Sequence, residues 1–275
     1  MSQPKALILG GIGINCNIET GFAFEQAGAE IEQVNITQLD DGSKKIGDYQ
    51  IFVVPGGFSQ GDDIAAGRWL GLKFRTQYSE DLNKFVEDQK AMLGICNGLQ
   101  VLVESGLLPN GEVVPPIADE EAEIPKLRNK VMSMVNNVNH VYDCRWGRLR
   151  VEDSASRFIG KELVGQIVEL PSAHQEGRVA TYNETNLRKL DESGQVVFRF
   201  VDQDNQPTEV YPENPNGSFR GMTGFCDESG VVLGLMPHLE RAYLKTHHPN
   251  WRRGEGAKPF GATVIKNIVN YAKEL

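Results

Sequence analysis

The first hundred residues alternate between short apolar runs and polar segments that carry apolar residues at helical spacing. Short apolar runs bounded by Gly, Pro or polar residues are typical of buried strands. Strands that alternate with helices pack into a parallel sheet covered by helices on both faces. The pattern therefore predicts an α/β fold with a doubly wound, mostly parallel sheet flanked by helices. Its first four strands are predicted at residues 5–9, 30–36, 50–54 and 91–93.

One helix between these strands is predicted at residues 17–27. Ile18, Phe22 and Ala23 recur there at helical spacing, and Gly28 follows as a helix terminator. These three residues would form the apolar face of the helix. A second helix is predicted to begin at Ser79 and to present Leu82, Phe85 and Val86 to the sheet.

The second half of the chain has shorter apolar runs and more turn residues. The runs at 222–227 and 231–236 flank a Glu-Ser-Gly sequence that suits a hairpin turn. Residues 260–272 have the spacing of an amphipathic helix, and the acidic, proline-flanked segment 115–130 indicates an exposed loop. We expect one domain over residues 1–275, with a more antiparallel second half.

The chain is acidic. Its 275 residues include 28 Lys and Arg against 37 Asp and Glu, a net charge of −9. This balance argues against a nucleic-acid-binding surface and against a polybasic membrane anchor. No apolar run approaches the ~20 residues that cross a membrane, and the N-terminus lacks the pattern of a signal peptide. We therefore expect neither nucleic acid nor a membrane as a partner.

The four cysteines lie far apart in the sequence, at positions 16, 96, 144 and 226. Because no Cys-x-x-Cys pair occurs, their spacing indicates neither a disulfide framework nor a zinc site, and a reducing cytoplasm is the expected location. The glycine-rich run 10–13 does not complete a dinucleotide-binding pattern, since Cys16 stands where the third glycine belongs. We expect no metal and no cofactor in this chain.

Cys96 lies in the run Gly-Ile-Cys-Asn-Gly (94–98), between an apolar strand and an amphipathic segment. Strand, sharp turn and helix in this order present a nucleophile at the end of a sheet, and flanking glycines permit the tight backbone. The N–H groups at the start of the helix would stabilise a thiolate. A buried core cysteine is commoner in general, but it needs no flanking glycines. Cys96 is therefore the candidate nucleophile.

A thiol nucleophile needs a base, and the base needs a partner that orients it. His238 follows the apolar run 231–236, and in an extended segment its side chain would share a face with Glu240. The carboxylate would then hold one imidazole nitrogen while the other faces Cys96. His174 is better suited to a substrate pocket than to this role. The other histidines that compete for it are His140, His247 and His248.

Acyl transfer also needs N–H donors for the oxyanion that develops. The Pro-Gly-Gly run 55–57 ends a predicted strand, so Gly57 can offer a backbone N–H there. Asn97, directly after the candidate nucleophile, can offer another. Alone, the run 55–57 would be read as a turn that ends a strand. Its occurrence together with Cys96 favours an oxyanion hole.

Three motifs together resemble class I glutamine amidotransferases. They are Gly-Ile-Cys-Asn-Gly-Leu-Gln (94–100), Pro-Gly-Gly-Phe-Ser-Gln-Gly-Asp (55–62) and Gly-Leu-Met-Pro-His-Leu-Glu-Arg (234–241). Two more, Ala-His-Gln-Glu-Gly-Arg (173–178) and Asn-Pro-Asn-Gly-Ser (214–218), narrow the resemblance to the glutaminase components of phosphoribosylformylglycinamidine synthases. These enzymes belong to purine biosynthesis, and the resemblance covers nearly the whole chain.

The resemblance implies that Cys96 attacks the side-chain amide of glutamine, with His238 as general acid and base and Glu240 as its orienting partner. It implies that N–H groups of Gly57 and Asn97 form the oxyanion hole. The ammonia would pass to an ATP-dependent formylglycinamidine ribonucleotide synthetase subunit, which would bind ATP and magnesium, and a small third subunit is compatible with this arrangement. The glutamine pocket implied by the resemblance contains Phe58, Gln100, His174, Gln175 and Gly177.

The chain departs from the family pattern at three positions in these motifs. Gln60 replaces the usual Tyr, Gln175 replaces a Gly, and Leu239 replaces the Pro between the histidine and the acidic residue. Leucine still lets the histidine and the carboxylate share a face, so we expect their pairing to persist. Gln175 adds a side chain where the backbone is expected to approach glutamine, which weakens the pocket assignment.

Three alternatives are compatible with the same residues. The chain could be the glutaminase component of another amidotransferase. It could also be a cysteine hydrolase on the same fold, in which case Gln100 would be incidental. A non-catalytic binding module would require that the departures at positions 60, 175 and 239 have abolished activity. For the partner surface, composition singles out residues 251–253 and the acidic run 119–123.

Overall fold

The apolar runs of the first half form parallel strands, and the later runs form antiparallel ones. The computed structural model describes residues 3–113, 132–253 and 258–275. The predicted loop at 115–130 and the acidic run 119–123 lie outside the described residues. The strands are β1 (Lys5–Gly10), β2 (Glu30–Asn35), β3 (Ile51–Val54), β4 (Ala91–Ile95), β5 (Ser133–Val135), β6 (Asp143–Val151), β7 (Ile167–His174), β8 (Arg178–Ala180), β9 (Val196–Phe200), β10 (Met222–Cys226) and β11 (Val232–Leu235).

The described α-helices cover both faces of the sheet and its ends. They are α1 (Asn17–Ala27), α2 (Ile36–Asp40), α3 (Arg68–Gln77), α4 (Ser79–Glu87), α5 (Asn97–Ser105), α6 (Leu107–Asn110), α7 (Glu184–Glu192) and α8 (Phe260–Ala272). Among the described residues, no helix has the length and apolar character that crossing a membrane requires.

Nine of the described strands form one sheet, in the order β2-β1-β3-β4-β11-β10-β9-β6-β7. The pairs from β2 to β11 are parallel. From β11 to β7 each pair is antiparallel, and β10 and β11 form the predicted hairpin. The predicted α/β class, with a doubly wound first half and an antiparallel second half, is confirmed. Strands β5 and β8 form a separate two-stranded sheet.

The strands at the centre of the parallel half are buried on both faces. All four residues of β3 are fully buried, and so are the residues of β4. Parallel strands covered on both faces have continuous apolar runs for this reason, because neither side of the pleat meets water. These strands consequently give a rigid base to the loops at their carboxyl ends.

The buried face of α1 differs from the predicted one. Ile18 is 70% exposed and Phe22 is 42% exposed, whereas Ala23 and Phe24 are fully buried. Thr20, Ala23 and Phe24 form the face that packs on the sheet. The prediction from helical spacing chose a neighbouring stripe of the helix. Gly28 ends the helix as predicted, in a left-handed conformation with φ of 100°.

Three segments depart from the predicted pattern, and side-chain caps begin the helices in two of them. The strand predicted at 30–36 ends at Asn35, whose side chain accepts a hydrogen bond from the Thr37 N–H and begins α2. Helix α7 was not predicted, although Asn183 caps it by accepting from the Asn186 N–H. Helix α3 was also missed; it begins after Gly67, which has a left-handed φ and gives no capping signal.

Candidate active site

The carboxyl ends of three neighbouring parallel strands bring the candidate motifs together. Gly56 and Gly57 follow β3, Cys96 follows β4, and His238 follows β11. These strands lie side by side in the order β3-β4-β11. Residues more than 180 positions apart in sequence therefore meet at one edge of the sheet, where open α/β folds bind their ligands.

Cys96 has a strained backbone, with φ of 52° and ψ of −107°. It stands between β4 and α5, and its N–H donates to the Leu235 carbonyl of β11 at 2.8 Å. A non-glycine residue with positive φ at a strand-to-helix turn is the geometry that exposes a nucleophile above a sheet. The predicted sharp turn is present, and the left-handed conformation belongs to Cys96 itself.

The flanking glycines are required for close packing. A Cβ at Gly98 would lie 1.9 Å from the Val54 carbonyl oxygen, and a Cβ at Gly94 would lie 2.7 Å from the Gly98 backbone. Neither Gly94 nor Gly98 has a positive φ. The sequence argument that the glycines provide backbone freedom was therefore right about the need for glycine and wrong about the reason.

The side chains of Cys96 and His238 meet over Gly56. A Cβ at Gly56 would lie 2.9 Å from His238 Cε1 and 3.5 Å from Cys96 Cβ. Cys96 Sγ also lies 3.5 Å from the carbonyl oxygen of Ala173, at the end of β7. The candidate base and nucleophile are thus neighbours, and the glycine leaves room for their contact.

His238 and Glu240 form a buried pair. His238 Nδ1 lies 2.5 Å from Glu240 Oε1, and both residues are almost fully buried. The sequence predicted this pairing from an extended segment, and that local geometry is wrong. Leu239 has helical φ and ψ of −66° and −40°, so a turn brings the two side chains together. A φ of −66° would also suit the proline that the family pattern has in place of Leu239.

The charge state of His238 is set by its neighbours. Burial alone would lower the pKa of His238, but the negative charges of Glu240 and of the Cys96 thiolate raise the pKa well above its ordinary value. His238 Nε2 and Glu240 Oε2 are buried and have no hydrogen-bond partner among the described residues. The imidazole is therefore held at Nδ1, and Nε2 is available for proton exchange with the thiol.

Gly57 and Asn97 lie on either side of the turn at Cys96. Asn97 is the first residue of α5, so its N–H has no acceptor within the helix. Its side chain accepts from the Ser59 N–H at 3.1 Å and fixes the loop that carries Gly57. Gly57 has φ of 147°, and a Cβ there would lie 2.4 Å from the Gly13 carbonyl oxygen. The N–H groups of Gly57 and Asn97 remain the predicted donors to an oxyanion beside Cys96.

The loop that follows β7 contains three of the predicted pocket residues. His174 and Gly177 are buried, and the Gln175 side chain is exposed. Gln175 has no positive φ, so its replacement of a glycine is sterically tolerated. A Cβ at Gly177 would lie 2.5 Å from His174 Nδ1, so glycine is required there. Phe58 is partly exposed at the rim, with its ring 6.4 Å from that of Tyr142.

Gln100 supports this loop through its side-chain amide. Gln100 Nε2 donates to the Glu176 carbonyl at 2.6 Å, and its Oε1 accepts from Asn97 Nδ2 at 2.9 Å. Both ends of the amide are therefore engaged within the protein. The structure gives Gln100 a direct role in positioning the loop, whereas the sequence predicted a contact with glutamine.

Asn137 is a residue of this site that sequence reasoning did not single out as a functional residue. Its Oδ1 accepts from the Gly177 N–H at 3.1 Å and lies 3.1 Å from His174 Nδ1. Its Nδ2 donates to the carbonyls of His174 and Val141, each at 3.0 Å. Burial lowers the pKa of His174 to about 4, so His174 is neutral at physiological pH. The buried side-chain amide of Asn137 thus holds the loop after β7 at both His174 and Gly177.

Cys16 is the second residue that the sequence did not place in the site. Its Sγ would lie 3.1 Å from a Cβ at Gly56, on the same side as His238 Cε1. It accepts a hydrogen bond from Arg241 Nη2 at 3.1 Å. The sequence signal for Cys16 was the incomplete dinucleotide-binding pattern, which placed this cysteine after a glycine-rich run at the end of a strand. Nothing in the spacing linked Cys16 to position 238.

Comparisons with known proteins agree with this geometry. Residues 3–272 match the model of the CobB/CobQ-like glutamine amidotransferase domain. The phosphoribosylformylglycinamidine synthase subunit PurQ of Methanococcus maripaludis strain S2 is 36% identical over 271 residues, which are 97% of this chain and 93% of that protein. The PurQ subunit of Dehalococcoides mccartyi is 35% identical over 277 residues and is matched along the full length of both chains.

Solved structures give the same relationship. A chain in the structure of PurLQS from Thermotoga maritima superposes with a TM-score of 0.71 at 27% identity, covering 98% of this chain and 99% of that one. A glutamine amidotransferase from Thermotoga maritima has a TM-score of 0.53 at 13% identity, which supports the fold alone. The chain belongs to the CobB/CobQ-like glutamine amidotransferase family and is, within it, a relative of the PurQ subunits.

Proposed function

We propose that this chain is the glutaminase component of a phosphoribosylformylglycinamidine synthase. It hydrolyses glutamine with Cys96, His238 and Glu240 and delivers ammonia to an ATP-dependent synthetase partner in purine biosynthesis. The observation that carries the proposal is the buried imidazole of His238, held 2.5 Å from Glu240 on one side and packed beside Cys96 on the other. The full-length similarity to PurQ subunits supports the substrate and the pathway.

The first half-reaction forms a thioester. The raised pKa of His238 favours its imidazolium form, and the reaction begins when the sulfur of Cys96 is a thiolate. The thiolate attacks the side-chain carbonyl carbon of glutamine, and the resulting oxyanion accepts hydrogen bonds from the N–H groups of Gly57 and Asn97. His238 then gives its Nε2 proton to the amide nitrogen. The C–N bond breaks, ammonia leaves, and a γ-glutamyl thioester remains on Cys96.

The second half-reaction restores the enzyme. His238, now neutral, takes a proton from a water molecule that attacks the thioester carbonyl. The C–S bond breaks, glutamate leaves, and Cys96 returns to the thiolate with His238 protonated. Glu240 stabilises the imidazolium in both steps and fixes its tautomer when it is neutral. His238 Nε2 thus carries the proton in both half-reactions, and the new γ-carboxyl group of glutamate loses its own proton to water.

Glutamine recognition is assigned to the loop after β7 and to the rim. His174, Gln175 and Gly177 would face the substrate from the loop, and Phe58 would cover it from the other side. Gln100 acts through the loop, because both ends of its amide are engaged. His174 Nε2 is buried and has no partner among the described residues, so it is available to a substrate.

We further propose the partners and the location. The PurLQS structure of Thermotoga maritima supports a synthetase subunit and a small third subunit as partners. ATP and magnesium would be bound by the synthetase, and this chain would need no cofactor for hydrolysis. All four cysteines are free, which suits a reducing cytoplasm.

Glutamine hydrolysis by the complex with its synthetase partner tests the proposal. We expect Cys96→Ala to lower the turnover of glutamine at least about 10³-fold, while Cys144→Ser, which removes an exposed thiol, leaves it unchanged. Equal turnover by Cys96→Ala and the unaltered protein would overturn the proposal. Cleavage of peptide substrates by Cys96, without glutamine hydrolysis, would instead favour a cysteine hydrolase.

A further inference from the structure

Asp62 lies in the loop that follows β3 and carries Gly57, and its carboxylate reaches the first turn of α5. Asp62 Oδ1 accepts a hydrogen bond from Asn97 Nδ2 at 3.2 Å, and the Gly67 N–H donates to the same carboxylate. Asn97 is almost fully buried, and its backbone N–H is a predicted oxyanion donor. We propose that Asp62 is a positioning residue for glutamine hydrolysis, which acts through the Asn97 side chain on the oxyanion hole and on the pocket loop (residues 175–177, after β7).

The Asp62 carboxylate sets the direction of a chain of hydrogen bonds. A carboxylate can only accept, so Asn97 must turn its NH2 group toward Asp62. The two hydrogens of that group meet Asp62 Oδ1 and, at 2.9 Å, Gln100 Oε1. Gln100 must then turn its own NH2 group the other way, and its Nε2 donates to the Glu176 carbonyl at 2.6 Å. The Ser59 N–H favours the same orientation, because it donates to Asn97 Oδ1 at 3.1 Å.

The pocket loop is tied back to the loop that contains Asp62. Glu176 Oε2 accepts from the Ala66 N–H at 3.1 Å, so the chain of contacts returns to the loop from which it began. That loop also packs closely on α5, since a Cβ at Gly67 would lie 2.7 Å from the Val101 nitrogen. The loop of Asp62, the first turn of α5 and the pocket loop therefore form one connected unit.

The backbone at Asp62 has a conformation that few residues with a side chain adopt. Gln60, Gly61 and Asp62 have consecutive left-handed φ values of 54°, 69° and 53°. Such conformations persist where surrounding contacts hold them, and they cluster at functional sites. Here the contacts are the hydrogen bonds from Asn97 and Gly67. Burial raises the pKa of Asp62, and these two donors counter this effect because they favour the ionised form.

These contacts predict which parts of the reaction depend on Asp62. The pair formed by His238 and Glu240 takes no part in the chain of hydrogen bonds, so proton transfer to and from Cys96 keeps its geometry without Asp62. Stabilisation of the oxyanion by the Asn97 N–H and binding of glutamine by the pocket loop would both weaken. This role rests on the proposed function, because glutamine hydrolysis is the reaction that Asp62 would assist.

Kinetics of Asp62→Gly in the complex with the synthetase partner test the role. Glycine adopts a left-handed φ without strain, so the change removes the carboxylate and keeps the turn. We expect kcat for glutamine hydrolysis to fall at least about tenfold and KM to rise, in line with the loss of a hydrogen bond to a charged group. Asp63→Ala removes an exposed carboxylate one residue further along and should change neither constant. Equal constants for the two variants would overturn the proposal.

Asp62→Asn tests whether the side-chain oxygen carries the effect. Asparagine tolerates a left-handed backbone as aspartate does, and it keeps one oxygen that can accept from Asn97 Nδ2. We therefore expect Asp62→Asn to recover part of the kcat that Asp62→Gly loses. Turnover no higher than that of Asp62→Gly would count against the hydrogen bond as the cause.

Alkylation of Cys96 by iodoacetamide separates positioning from support of the fold. The thiolate displaces iodide from this reagent, a reaction that forms no oxyanion and needs no glutamine pocket. Asp62→Gly should therefore alkylate at Cys96 as fast as the unaltered protein, although it hydrolyses glutamine more slowly. Mass spectrometry of the Cys96 peptide measures the rate apart from that of the exposed Cys144. Alkylation that slows as much as hydrolysis would mean that Asp62 only supports the fold, and would overturn the proposal.

Gln100→Ala tests whether the contacts act as one chain. Residues that act through one network give losses that do not multiply when they are combined. We expect Asp62→Gly and Gln100→Ala together to lower kcat/KM by less than the product of their separate fold-changes. Losses that multiply would show that the two residues act independently, and would contradict the proposed path from Asp62 to the pocket loop.

The same measurements distinguish this role from the proposed function. If glutamine hydrolysis requires Cys96 but Asp62→Gly is unimpaired, the proposed function stands and the positioning role fails. If Cys96→Ala hydrolyses glutamine as fast as the unaltered protein, the proposed function fails, and the role of Asp62 in that reaction fails with it.

Discussion

The backbone of Gly98 packs directly on that of Val54, so that a Cβ at position 98 would lie 1.9 Å from the Val54 carbonyl oxygen. This contact joins the first turn of α5 to β3 and sets the depth at which Cys96 emerges from β4. The position of the nucleophile therefore depends on a glycine that takes no part in the chemistry.

Gly98→Ala should displace α5 from the sheet. Because the added methyl group meets a backbone carbonyl in the buried core, we expect a loss of about 3 kcal/mol in the free energy of unfolding. Glutamine hydrolysis should fall with it, since Cys96 and Asn97 move together. Denaturant unfolding measures the first effect and steady-state kinetics the second. Gly47→Ala is the control, because a Cβ there meets nothing within 4 Å; equal effects of the two changes would contradict the packing argument.

Glu240→Gln removes the negative charge of the buried pair and keeps a side-chain oxygen that can accept a hydrogen bond from His238. The carboxylate is one of the charges that raise the pKa of His238, so its loss should lower that pKa and reduce turnover about 100-fold or more. The pH profile of hydrolysis should change shape as well. An unchanged profile with reduced turnover would mean that Glu240 only supports the local structure.

The same pair makes stability depend on pH. Because the pKa of His238 is higher in the folded than in the unfolded state, its contribution is fully present below about pH 6.5 and is lost as the pH rises through the folded-state pKa. The difference in unfolding free energy between the unaltered protein and Glu240→Gln should therefore shrink as the pH rises above 6.5. Urea unfolding at several pH values measures this, and a difference that grows with pH would contradict it.

His174 should make the stability of the fold depend on pH in the opposite direction. Burial lowers its pKa to about 4, so its neutral form stabilises the fold above about pH 6.5, and this contribution is lost as the pH falls toward 4. The shift corresponds to about 3 kcal/mol. His174→Gln should make stability less sensitive to pH between 6.5 and 4. His247→Gln, at an exposed histidine, should leave the sensitivity as it is.

Asn137→Ala should release the pocket loop. The change removes the hydrogen bonds to Gly177, to Val141 and to both ends of His174. We expect the KM for glutamine to rise about tenfold, with a smaller effect on kcat, because the pair formed by His238 and Glu240 is untouched. Asn139→Ala, at a nearby exposed position, removes a single hydrogen bond from the Val141 N–H and should change both constants much less. A fall in kcat at constant KM would show that Asn137 acts on the chemistry.

The sequence predicted those parts of the molecule that depend on local pattern. Buried parallel strands have continuous apolar runs, and the turn at Cys96 has its own signature of residues, so both were found. The face of α1 was predicted only in part, because Phe22 and Phe24 are equally apolar and only the packed sheet decides which of them is buried. The helical turn at Leu239 was missed because an extended chain would pair His238 with Glu240 equally well.

Contacts between distant segments were beyond this kind of reasoning. Cys16 and Arg241 meet only because β1 and β11 both deliver their following loops to the same edge of the sheet. Nothing in the sequence distinguishes Asn137, whose side chain is buried, from exposed asparagines. The resemblance assigned Gln100 to the substrate. It gives no information on whether the Gln100 amide already binds the Glu176 carbonyl.

Strand β11 lies between β4 and β10, although it is the last of the described strands to leave the ribosome. Until it inserts, β4 and β10 are not joined and each is an additional open edge, and the thiol at position 96 has no imidazole beside it. A growing chain therefore stays inert toward glutamine until β11 and the His238–Glu240 segment that follows it have been synthesised. Ammonia production begins only once the fold is closed, so an unfinished subunit releases none into the cell.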